Sequence, residues 1–123
     1  MFKITGQAID DFLEGAKNTY PKEFLALLGS TTESELIDEL VVVPAFYGDT
    51  SVLIRMHLIP VDFSLRGTIH SHPSPNNSPS RADLNTFRKL GSIHLIAAFP
   101  YGRENIRAFD GEGKELKFKV VNF

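Results

Sequence analysis

The spacing of apolar positions divides the chain into two helices and a set of strands. Ile9, Phe12, Leu13 and Ala16 recur at helical intervals, so residues 5–20 read as an amphipathic helix with Thr5 as N-cap and Pro21 past its end. Residues 23–28 (EFLALL) are nearly all apolar, as in a strand buried on both faces. Residues 29–34 (GSTTES) carry turn chemistry, 37–43 form a strand candidate that Pro44 stops, and 51–58 (SVLIRMHL) form another. Residues 67–71 (GTIHS) read as a short strand. It runs into 72–80 (HPSPNNSPS), a polar stretch rich in proline and asparagine. Helical spacing returns over 80–89, with Leu84, Phe87 and Leu90 on one face. Residues 93–100 (IHLIAAFP) make a central strand, and 106–109 with 116–121 make a hairpin across the turn DGEG at 110–113. Helix, strands, helix, strands predict an α+β fold, a mostly antiparallel sheet packed against two helices.

Composition narrows the chemistry. A chain of 123 residues fits one domain, 1–123, and its 42% apolar content is globular. There is no cysteine, which removes disulfides, thiolate zinc sites, iron–sulfur ligation and cysteine nucleophiles together. Any metal must therefore be held by nitrogen and oxygen. Thirteen basic against fifteen acidic residues leave a net charge of −2, with no electrostatic footprint for nucleic acid or an anionic membrane. No apolar run approaches the roughly 20 residues of a membrane span. The N-terminal stretch lacks the apolar core of a signal peptide. The expectation is a soluble cytoplasmic domain.

The chemistry concentrates at 70–83. In His70-Ser71-His72 the two imidazoles are two residues apart, so on a strand they share a face and converge on one point. Eleven residues after His72, Asp83 falls in the first turn of the second helix, where it could fold back as a third ligand. Two nitrogens and one carboxylate leave zinc's fourth position open to water, the catalytic arrangement. Plainer readings stand beside this one. The histidines also fit a half-exposed strand pair. Ser80 and Asp83 also fit a helix cap, with Ser78-Pro79 as a rival helix start.

Taken together, His70-Ser71-His72, seven residues, Ser80, two residues and Asp83 resemble the metal-binding motif of the JAMM (MPN+) metalloproteases. The flanking sequence GTIHSHPSP is similar to that family too. The resemblance implies a JAMM/MPN-like (cytidine-deaminase-like) α+β fold with a curved sheet, spanning nearly the whole chain. It implies Zn²⁺ on His70, His72 and Asp83. It also implies an upstream glutamate on an early strand as general base, for which Glu23 is the best placed; alone, Glu23 fits a solvated strand end beside Lys22. Ser80 would be an oxyanion donor, since no histidine is free to activate it as a nucleophile.

The family's activity implies hydrolysis of an amide or isopeptide bond at the Gly-Gly tail of a ubiquitin-like or sulfur-carrier protein. The tail would lie beside residues 52–58 and 60–66. Release of an amino acid from a sulfur-carrier tail is a related outcome, and a homodimer is compatible with this reading. A non-catalytic MPN-type scaffold is the competing class, and a two-histidine, one-carboxylate iron oxygenase shares the ligand types. A nucleobase deaminase lacks its H-x-E signature here, and a thermolysin-type protease its H-E-x-x-H helix. His57 and His94 fall outside the motif, and His94 reads as a hydrogen-bonded histidine of the core or sheet edge.

Overall fold

The first helical stripe becomes helix α1 (Gly6–Thr19), with Ala8, Ile9, Phe12, Leu13 and Ala16 buried along it. Thr5 caps it, its hydroxyl accepting the Ala8 N–H at 3.2 Å. The structure is a computed structural model that describes residues 1–31, 35–42 and 64–122. The strand candidate at 51–58 and His57 lie outside the described residues.

Strands β1 (Phe2–Thr5), β2 (Leu25–Ser30), β3 (Leu36–Ile37), β4 (Glu39–Val42), β5 (Ser64–His72), β6 (Ile93–Ala98), β7 (Ile106–Phe109), β8 (Glu115–Leu116) and β9 (Phe118–Val121) form two sheets. The larger runs β4-β2-β5-β6-β7-β8 and the smaller β3-β1-β9. The larger is antiparallel except where β5 meets β6. The small sheet is parallel throughout. A Cβ on Gly67 would collide with the Ile93 carbonyl, so glycine is what lets β5 and β6 approach at the start of their pairing.

The large sheet is covered on both faces. Ile69, Leu95, Ala97 and Ala108 pack toward α1 and the small sheet. Ile96 and Phe109 pack on the other side against Phe87 of helix α2 (Arg81–Phe87). No helix among the described residues is long and apolar enough to cross a membrane.

The α+β class holds, and several boundaries move. Residues 2–4, to which the pattern assigns no element, join Thr5 in β1. Gly29 and Ser30, expected in a turn at 29–34, complete β2 instead, and 32–34 lie outside the described residues. The strand expected at 37–43 is two strands, broken at Asp38, whose carboxylate takes the backbone N–H and hydroxyl of Thr31 at 2.9 and 2.6 Å. β5 is nine residues long rather than five. Past the 110–113 turn, where Gly113 takes φ +87°, only Glu115–Leu116 pairs back on β7. Phe118–Val121 leaves the expected hairpin and pairs with β1 instead.

Candidate metal centre

β5 delivers both histidines to the α2 face of the sheet. His70 stands beside Ile96 in the register, and Ser71 beside Ala97, which packs toward α1. Alternation therefore sends His70 and His72 to one side and Ser71 to the other. His70 is buried and His72 half-buried. Their Nε2 atoms are 3.0 Å apart.

α2 brings the carboxylate. The Ser80 hydroxyl accepts the Asp83 N–H at 3.1 Å, and Asp83 Oδ2 accepts the Ser80 N–H at 2.8 Å, a reciprocal capping box. That box holds the side chain with Oδ1 3.1 Å from His70 Nε2 and Oδ2 3.1 Å from His72 Nε2. Capping and convergence on the histidines are one geometry, so the capping box is compatible with a ligand role for Asp83.

The tautomer of His72 follows from a backbone contact. Its Nδ1 lies 2.8 Å from the carbonyl oxygen of Asn76. A carbonyl can only accept, so Nδ1 carries the proton and the neutral ring turns its Nε2 lone pair to the centre. Electrostatics favour positive charge there. Burial alone would raise the Asp83 carboxyl, but the hydrogen bonds with His70 and His72 outweigh it and hold Asp83 well below the usual carboxylate range. Burial alone would lower His72, but the hydrogen bond with Asp83, the Asn76 carbonyl and the charges of Asp83 and Glu23 raise it.

Glu23 lies just ahead of β2 and is half-buried. Its carboxylate and the ring nitrogens of His70 and His72 all lie within 4.8 Å of one another, a set able to hold a cation. The chain around Glu23 is tied to the histidine strand from behind. Phe24 N–H donates to Ser71 Oγ at 2.8 Å, and Ser71 N–H donates to the Phe24 carbonyl at 2.9 Å. The loop between His72 and Ser80 is fastened as well. Asn77 Nδ2 donates to the Asn105 carbonyl at 3.0 Å, and Arg107 Nη1 reaches Ser78 Oγ at 3.3 Å.

The donor set fits a small borderline cation. Donors around a tetrahedral ion with bonds of about 2.0 Å stand about 3.3 Å apart, close to the spacing of the two imidazoles and Asp83. The structure thus brings Glu23, His70, His72, Ser80 and Asp83 to one place. His94 stays out. It is fully buried, its Nε2–H donating to the Gly91 carbonyl at 3.0 Å and its Nδ1 accepting from the Thr68 hydroxyl at 2.8 Å. The Asn76 carbonyl has no sequence signal, because every residue owns one. The Ser71–Phe24 clip spans 47 positions and leaves no local pattern.

The model of prokaryotic homologues of the JAB domain matches residues 5–110. The chain belongs to this prokaryotic JAB family. A probable metalloprotease from Haloferax volcanii is 35% identical over 128 residues, covering 97% of this chain and 79% of the relative. A JAB1/MPN domain protein from Archaeoglobus fulgidus superposes with a TM-score of 0.79 at 33% identity, over 98% of this chain and 99% of that one. A structure described as a JAMM metalloprotease-like zinc site in the proteasome and signalosome superposes with a TM-score of 0.77 at 31% identity, over 98% of each chain. The JAMM/MPN fold expected from the motif is therefore the observed one, and the chemistry is of the metalloprotease type.

Proposed function

We propose that this JAB-family chain is a zinc-dependent isopeptidase that hydrolyses an amide bond at the Gly-Gly tail of a ubiquitin-like or sulfur-carrier protein. The observation that carries the reading is the approach of His70, His72 and Asp83 to 3.0–3.1 Å, with Glu23 beside them. His70, His72 and Asp83 are the ligands that would hold Zn²⁺. Bound there, the ion supplies Lewis acidity toward a water and a substrate carbonyl.

The remaining work belongs to the chain. Glu23 accepts the proton of the attacking water and returns it to the leaving amine. The Ser80 hydroxyl accepts the Asp83 N–H and so keeps its own proton to donate to the developing oxyanion. Asn76 holds the His72 tautomer that leaves Nε2 free to ligate. A cysteine-free donor set suits a reducing cytoplasm.

The test is a Gly-Gly-tailed ubiquitin-fold protein joined through its C-terminus to a lysine side chain, incubated with enzyme, with and without chelator. Cleavage should be lost on chelation and restored by zinc. Glu23→Ala should keep zinc and lose about 10²–10⁴-fold in kcat. Cleavage that persists without metal, or a near-normal Glu23→Ala rate, defeats the reading. A chain that binds no zinc and cuts nothing would be a scaffold.

A further inference from the structure

The loop between His72 and Ser80 carries a side chain that the mechanism above does not use. Asn77 is half-buried between exposed Asn76 and exposed Ser78. Its amide crosses to β7 and is matched at both ends. Nδ2 donates to the Asn105 carbonyl at 3.0 Å, and Oδ1 accepts from Arg107 Nη1 at 3.4 Å. A carbonyl can only accept and a guanidinium can only donate, so the amide has one orientation and uses both its groups. An aspartate of the same shape would lack the donor and face the Asn105 carbonyl with a second acceptor.

The anchor that Asn77 reaches is part of the sheet. Asn105 immediately precedes β7, and Arg107 lies within it. Ile96 pairs with His70 on one side and with Arg107 on the other, so the three form one row across the α2 face. Glu115 holds the Arg107 guanidinium at 2.7 Å, over the Phe109 ring. From Asn77 to the centre is one peptide unit. The Asn76 carbonyl, 2.8 Å from His72 Nδ1, and the Asn77 nitrogen belong to the same planar group. Fastening Asn77 to β7 therefore restricts where that carbonyl points. On the other side of Asn76, the Ser74 carbonyl accepts the Phe99 N–H at 3.0 Å, which ties the loop to the end of β6. Asn76 itself is exposed, so water competes for its carbonyl, and the contact with His72 depends on the carbonyl being held in place.

We propose that Asn77 is a positioning residue for His72: by tying the loop to β7 it holds the Asn76 carbonyl on His72 Nδ1 and so keeps Nε2 turned to the metal. The inference rests on the reading of His72 as a zinc ligand. It assigns Asn77 no contact with substrate or metal.

The test compares wild type with Asn77→Ala, Asn77→Asp and Asn76→Ala. In metal-free protein the His72 Nδ1 proton, followed by NMR, should exchange with solvent about tenfold faster in Asn77→Ala. Asn77→Asp keeps the shape without the donor and should quicken the exchange as well. Zinc affinity, measured by competition with a chelator, should fall about tenfold in Asn77→Ala, the lower end of the range for a ligating histidine that loses its own hydrogen-bond partner. Asn76→Ala keeps the carbonyl and removes only the side chain, whose Oδ1 accepts the Ser78 N–H. Its zinc affinity should stay closer to wild type than that of Asn77→Ala. Ring-proton exchange or zinc affinity of Asn77→Ala within about twofold of wild type overturns the inference. Equal losses of zinc affinity in Asn76→Ala and Asn77→Ala overturn it too, because general loosening of the loop would then account for both. A wild type that binds no zinc overturns the proposed function instead, and the ring-proton exchange then decides by itself whether Asn77 holds the Asn76 carbonyl on His72.

Discussion

The imidazoles of His72 and His94 share one face of the large sheet and are pushed in opposite directions. His72 is raised because its partner Asp83 is an anion. His94 is lowered to about 4, chiefly by burial. Its two ring nitrogens are already satisfied in the neutral form, one as donor and one as acceptor. The folded value for His94 lies below the unfolded value near 6.5, so the folded state loses stability as pH falls from about 6.5 to about 4 and no further below that. The full loss is about 3 kcal/mol. A His94→Gln variant should be less stable at pH 7 and show a flatter decline over that window; urea unfolding with chelator present, at several pH values, would reveal it. An equally steep decline in the variant would assign the loss to other groups.

Ser80 carries two roles at the same scale, and they separate in measurement. Ser80→Ala removes a helix cap, worth about 1 kcal/mol of stability. It also removes the proposed oxyanion donor, which should lower kcat about 10²–10³-fold. A variant that loses the stability and keeps its kcat would leave Ser80 as a cap alone.

Among elements, α2 is the one that completes the site. It has seven residues, too few for a helix to persist by itself. The capping box holds its first turn, and Phe87 holds its last by stacking on His94 at 4.2 Å and 8° and packing on Ile96 and Phe109. Asp83 rides on this helix, so core packing and the placement of its carboxylate are coupled. Phe87→Ala should cost about 3–5 kcal/mol of stability. It should also weaken zinc binding, although Phe87 offers no ligand atom; calorimetric zinc titration of the folded variant would register the change. Unaltered affinity would mean that the capping box alone places Asp83.

For the whole molecule, the proposed ligands come from two elements, so an ion bound there would join β5 to α2. An ion that binds the folded state alone stabilises it by about 2.7 kcal/mol at one hundred times its Kd. The thermal midpoint of wild type should therefore fall when zinc is chelated. His72→Ala should have a lower midpoint from the start and show little response to chelator. A wild-type midpoint indifferent to zinc and chelator would remove the metal from the folding equilibrium.

Legibility follows interaction range. Thr5 and Ser80 were readable as caps because a cap and its helix are neighbours in the chain. His70 and His72 were readable as a pair because strand periodicity places them on one face whatever the partner strands are. β1 was not readable: four residues gain their order from parallel partners at 36–37 and 118–121, far along the sequence. The break at Asp38 depended on Thr31, and the departure of 118–121 from its hairpin depended on the open edge of β1. Glu23 lay between the two cases. Its residue type and place before a buried run marked it as a candidate, but the pairing of β2 on β5 and the Ser71–Phe24 clip bring that segment against the histidines.

By itself the sequence determined the α+β class, the nitrogen-and-oxygen character of any metal site, and the spacing that points both histidines one way with a capped carboxylate behind them. Those properties depend on composition and on contacts within a few residues. The tertiary structure alone decided that Asp83 meets both imidazoles at 3.1 Å, that the Asn76 carbonyl chooses the His72 tautomer, and that His94 is sealed in the core. Each of these is a distance between groups that only the packing of helices on both faces of the sheet brings together.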